Sequence, residues 1–140
     1  MAILPGETIG ILGGGQLGRM TAMAARSLGY SVRVLDPDPS CAARFVVDAL
    51  VTASFDDPAA AAWLARGSAV VTLEIEKISL EALAAAARLA PARPSTEVLS
   101  IIQNRLTQKR WLEGAGFPVG AFREASSPEE LFAAVAALGG

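Results

Sequence analysis

The sequence contains no histidine, a single cysteine at Cys41 and a single tyrosine, and aromatic residues make up only 6% of it. Without histidine, Ser-His-Asp triads, histidine metal sites and imidazole acid-base chemistry are excluded, which leaves carboxylates, lysine, arginine and backbone amides as the available chemistry. One cysteine cannot close an internal disulfide and fits a reducing compartment. Neither sign of charge dominates: 12 Lys and Arg stand against 14 Asp and Glu, a net charge of -2. The basic residues are scattered, so nucleic acid is not an expected partner. No apolar run approaches the ~20 residues of a membrane span, and Pro5, Gly6 and Glu7 interrupt the start where a secretory leader needs an unbroken apolar stretch. A cytoplasmic protein with no membrane partner is expected.

What is present is a hydrophobic chain, 52% of 140 residues, long enough for one domain or for one domain and the start of another. Its most informative stretch is Ile9-Gly10-Ile11-Leu12-Gly13-Gly14-Gly15-Gln16-Leu17-Gly18-Arg19-Met20, an apolar strand running into a glycine turn and then a helix. Gly13, Gly15 and Gly18 reproduce the G-x-G-x-x-G spacing, in which glycines permit a tight turn, close ligand approach and close packing of helix on strand. A second strand, Ser31 to Asp36, ends in a carboxylate where a dinucleotide-binding unit places its ribose partner. Asp-Pro-Asp-Pro suits a turn equally well. From these residues alone, an NAD-binding dehydrogenase domain and a non-catalytic ligand-binding regulator on the same fold both stay open.

Helix and strand signals then alternate. A turn with a short helix is expected over Asp38 to Arg44, strands at Ala49 to Thr52 and Ala69 to Leu73, and helices at Asp57 to Arg66 and Leu80 to Leu89. Ala92 to Pro94 reads as a short fifth strand. A parallel sheet with helices on both faces follows from that order. Beyond it, Ser95 caps a long helix expected to run to Glu113, Val119 to Phe122 reads as a strand, and Pro128 to Leu138 as a helix. Because no strand follows that last helix, the sequence reads as a fragment of a longer protein, with domains at 1–94 and 95–140.

Two further groups carry chemistry. In Thr72-Leu73-Glu74-Ile75-Glu76, two carboxylates stand at the end of the fourth strand and, being two apart, would share its face. In a sheet ordered 3-2-1-4 they border the glycine turn, and as acceptors they suit hydroxyl or amino groups better than phosphate. The alternative for Glu76 is a helix N-terminal residue that complements the dipole. Arg105 and Lys109, four apart, share a helix face that either approaches a polyphosphate or is simply solvated.

Three strings in this order, Gly13 to Met20, Thr72 to Glu76, and Ile101 to Lys109 leading into Gly116-Phe117-Pro118-Val119, resemble the N5-carboxyaminoimidazole ribonucleotide synthase family of ATP-grasp enzymes. Gln16-Leu17-Gly18-Arg19-Met20 is the most specific of them. The resemblance implies a Rossmann-like pre-ATP-grasp domain that holds a ribonucleotide and not NAD, followed by the start of an ATP-grasp domain. It implies substrate contacts at Gly15, Gln16, Leu17 and Glu74, with Glu76 a further candidate, and an ATP contact at Arg105. It also implies ATP and Mg2+ as cofactors, 5-aminoimidazole ribonucleotide and bicarbonate as substrates, and a homodimeric full-length protein. The magnesium ligands and the catalytic residues are expected beyond residue 140, and the chain alone is expected to be inactive.

Overall fold

A computed structural model describes residues 2–139. The chain divides into two compact units, Met1–Ser100 and Ile101–Gly140.

The first unit is built on five strands: β1 (Thr8–Leu12), β2 (Ser31–Asp36), β3 (Ala49–Thr52), β4 (Val70–Leu73) and β5 (Ala92–Arg93). They form one sheet in the order β3-β2-β1-β4-β5, with every neighbouring pair parallel. Strands covered on both faces read as near-continuous apolar runs, as β1 and β4 do, whereas Arg33 interrupts the run in β2. Alternate residues of β1 divide the two faces. Ile11 joins Val32 and Val34 of β2 in a cluster with Ala22 and Ala25 of α1 (Gln16–Ser27). Gly10, on the other face, lies against Leu64 of α2 (Pro58–Arg66), which in turn packs on α3 (Leu80–Ala87). A side chain at Gly10 would come within 2.7 Å of Ser68 Oγ, so its absence lets α2 lie close to β1.

Helix starts follow their capping residues. Asp57 accepts from the Ala59 and Ala60 amides at 2.9 and 3.0 Å, and Ser79 from Ala82 at 3.1 Å, satisfying first-turn donors that have no partner within the helix. Asp48, just before β3, accepts from the Val32 amide at 2.7 Å and pairs with Arg26 of α1. These bonds hold its carboxyl below the ordinary value, the Val32 amide contributing most and Arg26 next.

Four expectations are corrected. Residues 38–44 form turns and no helix, because Asp38 folds back onto its own backbone, accepting from the Ser40 amide at 2.7 Å and, through its carbonyl, from Cys41 at 3.0 Å. The long helix from Ser95 is two helices, α4 (Thr96–Ile102) and α5 (Arg105–Gly114), because Asn104 caps the second by accepting from the Thr107 amide at 2.9 Å. A short polar side chain that bonds to nearby backbone competes with helix continuation. Val119 to Phe122 forms no strand, since among the described residues the second unit holds none for it to pair with. Finally, β4 ends at Leu73 and the chain turns, so Glu74 and Glu76 lie beyond it and do not share a strand face.

The second unit consists of α5 and α6 (Pro128–Leu138) with the segment between them. Ser127 caps α6, and Gly139 closes it in the left-handed conformation at φ 81°. Lys109 donates to the Gly120 carbonyl at 3.2 Å, and Arg110 pairs with Glu124 at 2.7 Å, which ties the intervening segment to α5. Among the described residues, no helix is long and apolar enough to cross a membrane.

Candidate functional site

The β3-β2-β1-β4 order makes β1 and β4 neighbours, and their C-terminal ends are where chain direction across the sheet reverses. Ligands bind in open α/β sheets at this crevice. The glycine turn leaves β1 there. Gly13 adopts φ 109°, which L side chains rarely reach, and donates to the Leu35 carbonyl at 2.9 Å. A Cβ at Gly18 would stand 2.4 Å from the Gly13 carbonyl oxygen, so only glycine lets α1 start this close to the turn.

Across the crevice, the Glu74 amide donates to the Leu12 carbonyl at 2.9 Å, which fixes the start of its side chain beside the turn. A Cβ built on Gly13 would be 2.7 Å from Glu74 Oε2, and one on Gly15 3.1 Å from Oε1, so the carboxylate rests directly against the turn. The adjacency expected from strand order is therefore present. No hydrogen bond to the Glu74 carboxylate exists among the described residues, although the residue is half-buried. Its acceptor capacity is free for a ligand.

Helix α1 supplies complementary groups. It has no acid in its first turn and no side-chain cap, whereas α2, α3, α5 and α6 are capped by Asp57, Ser79, Asn104 and Ser127. The first-turn amides of Gln16, Leu17 and Gly18 therefore lack intrahelical and side-chain partners. Gln16 is exposed, and so is Leu17, at 60%. An exposed leucine beside an amide donor and a carboxylate is a suitable edge for a flat, polar heterocycle that carries amino and hydroxyl groups.

Asp36, the expected ribose acceptor of a dinucleotide site, is 8% exposed and already engaged. Its Oδ2 accepts from the Gly14 amide at 2.7 Å and its Oδ1 from the Asp38 amide at 2.9 Å. The turn reading of Asp-Pro-Asp-Pro is the one the geometry bears out. Sequence spacing could not reveal the bond to Gly14, because it links residues 22 positions apart. Cys41 is buried near the same turn, and burial, followed by the nearby Asp36 charge, pushes its thiol up. Glu76 sits exposed in the turn after β4, four residues before Leu80, the first residue of α3.

In the second unit, Arg105 is the first residue of α5 and donates to Gln108 at 2.6 Å. A cation at a helix N-terminus opposes the macrodipole, and no acid in that first turn offsets it. With Lys109, whose Nζ lies 5.2 Å from the Phe122 ring centre, and Arg123, it borders a cavity of about 400 Å³. Among the described residues, no cluster of three or more histidine, cysteine, aspartate or glutamate side chains could hold a metal ion.

Known proteins share this fold and much of this sequence. The chain is 42% identical over 139 residues to N5-carboxyaminoimidazole ribonucleotide synthase of Brucella melitensis, covering 99% of this chain and 38% of that protein. The structure of N5-carboxyaminoimidazole synthetase from Staphylococcus aureus complexed with ADP superposes with a TM-score of 0.86 at 35% identity, covering 96% of this chain and 36% of the other. The Aspergillus clavatus enzyme, in complex with ADP and 5-aminoimidazole ribonucleotide, superposes with a TM-score of 0.79 at 39% identity, covering 95% and 36%. The chain thus spans a little over a third of the length of these relatives. The profile of the ribonucleotide synthetase preATP-grasp domain matches residues 6–103, the whole sheet and its helices, and this chain belongs to that family.

Proposed function

We propose that this chain is the ribonucleotide-holding part of an enzyme that carboxylates 5-aminoimidazole ribonucleotide in purine biosynthesis, with ATP and bicarbonate as co-substrates. The observation that carries this reading is the Glu74 carboxylate lying against Gly13 and Gly15. In a dinucleotide-binding domain the pyrophosphate occupies that position at the helix N-terminus. A carboxylate there repels phosphate and accepts from hydroxyl or amino groups instead. The relatives whose structures hold ADP and 5-aminoimidazole ribonucleotide support the same ligand class.

In the proposed reaction, bicarbonate attacks the γ-phosphorus of ATP, releasing ADP and forming carboxyphosphate. The exocyclic amine of the ribonucleotide then takes the carboxyl group as phosphate leaves and the amine proton is lost. This work is mostly positioning and charge stabilisation. Glu74 and the amides of Gln16 and Leu17 orient the substrate, with Gly15 permitting close approach and Glu76 at the rim. Arg105, placed against its own helix dipole, meets ATP phosphate. Residues 1–94 are assigned to substrate binding and residues 95–140 to the connection and the start of the ATP-grasp domain. Magnesium supplies counter-charge to ATP when bound, and its ligands are assigned to the part of the relatives that this chain does not cover, as are the catalytic groups. The full-length protein is proposed to be a cytoplasmic homodimer.

Calorimetric titration of the chain with 5-aminoimidazole ribonucleotide and, separately, NADH tests the reading. Only the ribonucleotide is expected to bind, and Glu74→Gln is expected to weaken it by about tenfold to a hundredfold, the value of a hydrogen bond to a charged group, while the melting temperature stays near that of the parent. NADH binding without ribonucleotide binding would overturn it.

A further inference from the structure

We infer that Asp36 is a positioning residue for the glycine-turn site, fixing the Gly14 amide so that Gly15, Gln16 and Leu17 present to the ligand. This rests on the reading that the turn holds a ribonucleotide. Asp36 is the one charged residue among the described residues that is buried, and no buried side-chain nitrogen or oxygen there lacks a partner. A buried carboxylate persists only where it is fully hydrogen-bonded.

Its two oxygens meet two backbone donors, the Gly14 amide at 2.7 Å and the Asp38 amide at 2.9 Å. That match is specific to an acceptor-only group, because an asparagine would turn its own N–H bonds toward one of the two donors. The Gly14 carbonyl is held as well, accepting from the Ala43 amide at 2.9 Å. Space is closed too: a Cβ on Gly14 would be 2.7 Å from Cys41 Sγ and 2.9 Å from Val34 Cγ1. Gly14 is therefore pinned through its amide, its carbonyl and its contacts, all on the β2 side. Gly13 and Gly15 are left to face Glu74 on the other side. The carboxylate that a dinucleotide-binding unit spends on a ribose is here spent on the shape of the turn, which makes the position part of the site's selectivity.

Asp36→Asn tests this in two independent arms. In the ligand-free chain, the Gly14 amide is expected to exchange with deuterium at least about tenfold faster in the variant, while the Val71 amide, in the same sheet and bonded to Pro91, is unchanged. In the second arm, affinity for 5-aminoimidazole ribonucleotide is expected to fall by about tenfold at a temperature where parent and variant are both fully folded, a loss that a purely structural role would not produce. If the Asn variant does not fold, Asp36→Ser, which keeps one acceptor in a smaller volume, carries both arms. Unchanged Gly14 exchange, unchanged affinity in a ribonucleotide-binding parent, or failure of both variants to fold would each overturn the inference. Failure of the parent to bind the ribonucleotide would instead overturn the functional reading, and the exchange arm would still decide whether Asp36 holds the turn.

Discussion

Helices α3 and α6 are written mostly in alanine and leucine, and both begin with a serine cap, yet they meet different surroundings. In α3, Ala82, Leu83, Ala85 and Ala86 are buried, packed against α2 and the sheet. In α6 only Ala134 is buried, and Leu131, Phe132, Val135 and Leu138 are 54%, 73%, 43% and 48% exposed. Periodic apolar residues make a helix in both cases. Only a packed neighbour, for α3 chiefly helix α2, turns the apolar face into a core.

The strongest way to break that contrast is to delete side chains from both helices. Leu83→Ala removes a fully buried side chain and is expected to cost about 2–5 kcal/mol in urea denaturation. Phe132→Ala, although it removes more atoms, is expected to stay within about 0.5 kcal/mol. Equal losses would show that α6 has a core of its own. The caps sharpen the comparison at smaller scale. Asp57→Ala is expected to cost about 1 kcal/mol and to speed exchange throughout α2, whereas Asn104→Ala is expected to free the Thr107 amide alone within α5. Exchange spreading across the first unit in the Asn104 variant would contradict the division into two units.

The smallest effect concerns pH. Because the Asp48 carboxyl is held below its unfolded value, its contribution to stability is present above the ordinary carboxylate range and is lost as pH falls through the folded value. The parent is therefore expected to lose melting temperature below about pH 4 more steeply than Asp48→Asn. The Asp48 side chain is 41% exposed, which keeps this difference small. Parallel pH profiles for the two chains would refute it.

The same contrast explains what could be read from the sequence. Strands β1, β2 and β3 lie where their apolar runs and turn residues place them, because a buried parallel sheet leaves an apolar strand one role. Strand order then brought Glu74 to the glycine turn. Elsewhere a local signal met no tertiary support or a stronger local competitor. Val119 to Phe122 has strand-like residues and, among the described residues of its unit, no strand to pair with, and the Asn104 side chain ends a helical pattern that apolar spacing alone would continue. Glu74 and Glu76 look like strand neighbours until β4 stops at Leu73. The engagement of Asp36 by Gly14 is a long-range bond, which the local sequence does not encode in any recognisable pattern.

Strand β5 has one more consequence. It is two residues long, lies at the margin of the sheet and is bracketed by Pro91 and Pro94, neither of which has an amide hydrogen to offer. A foreign chain that tried to extend the sheet from this side would find almost no ladder to copy, and the Arg93 guanidinium would meet it there. The brevity of β5 therefore acts as protection against fibre growth, and it should keep the protein dispersed at concentrations where a longer, uncharged margin would template self-association.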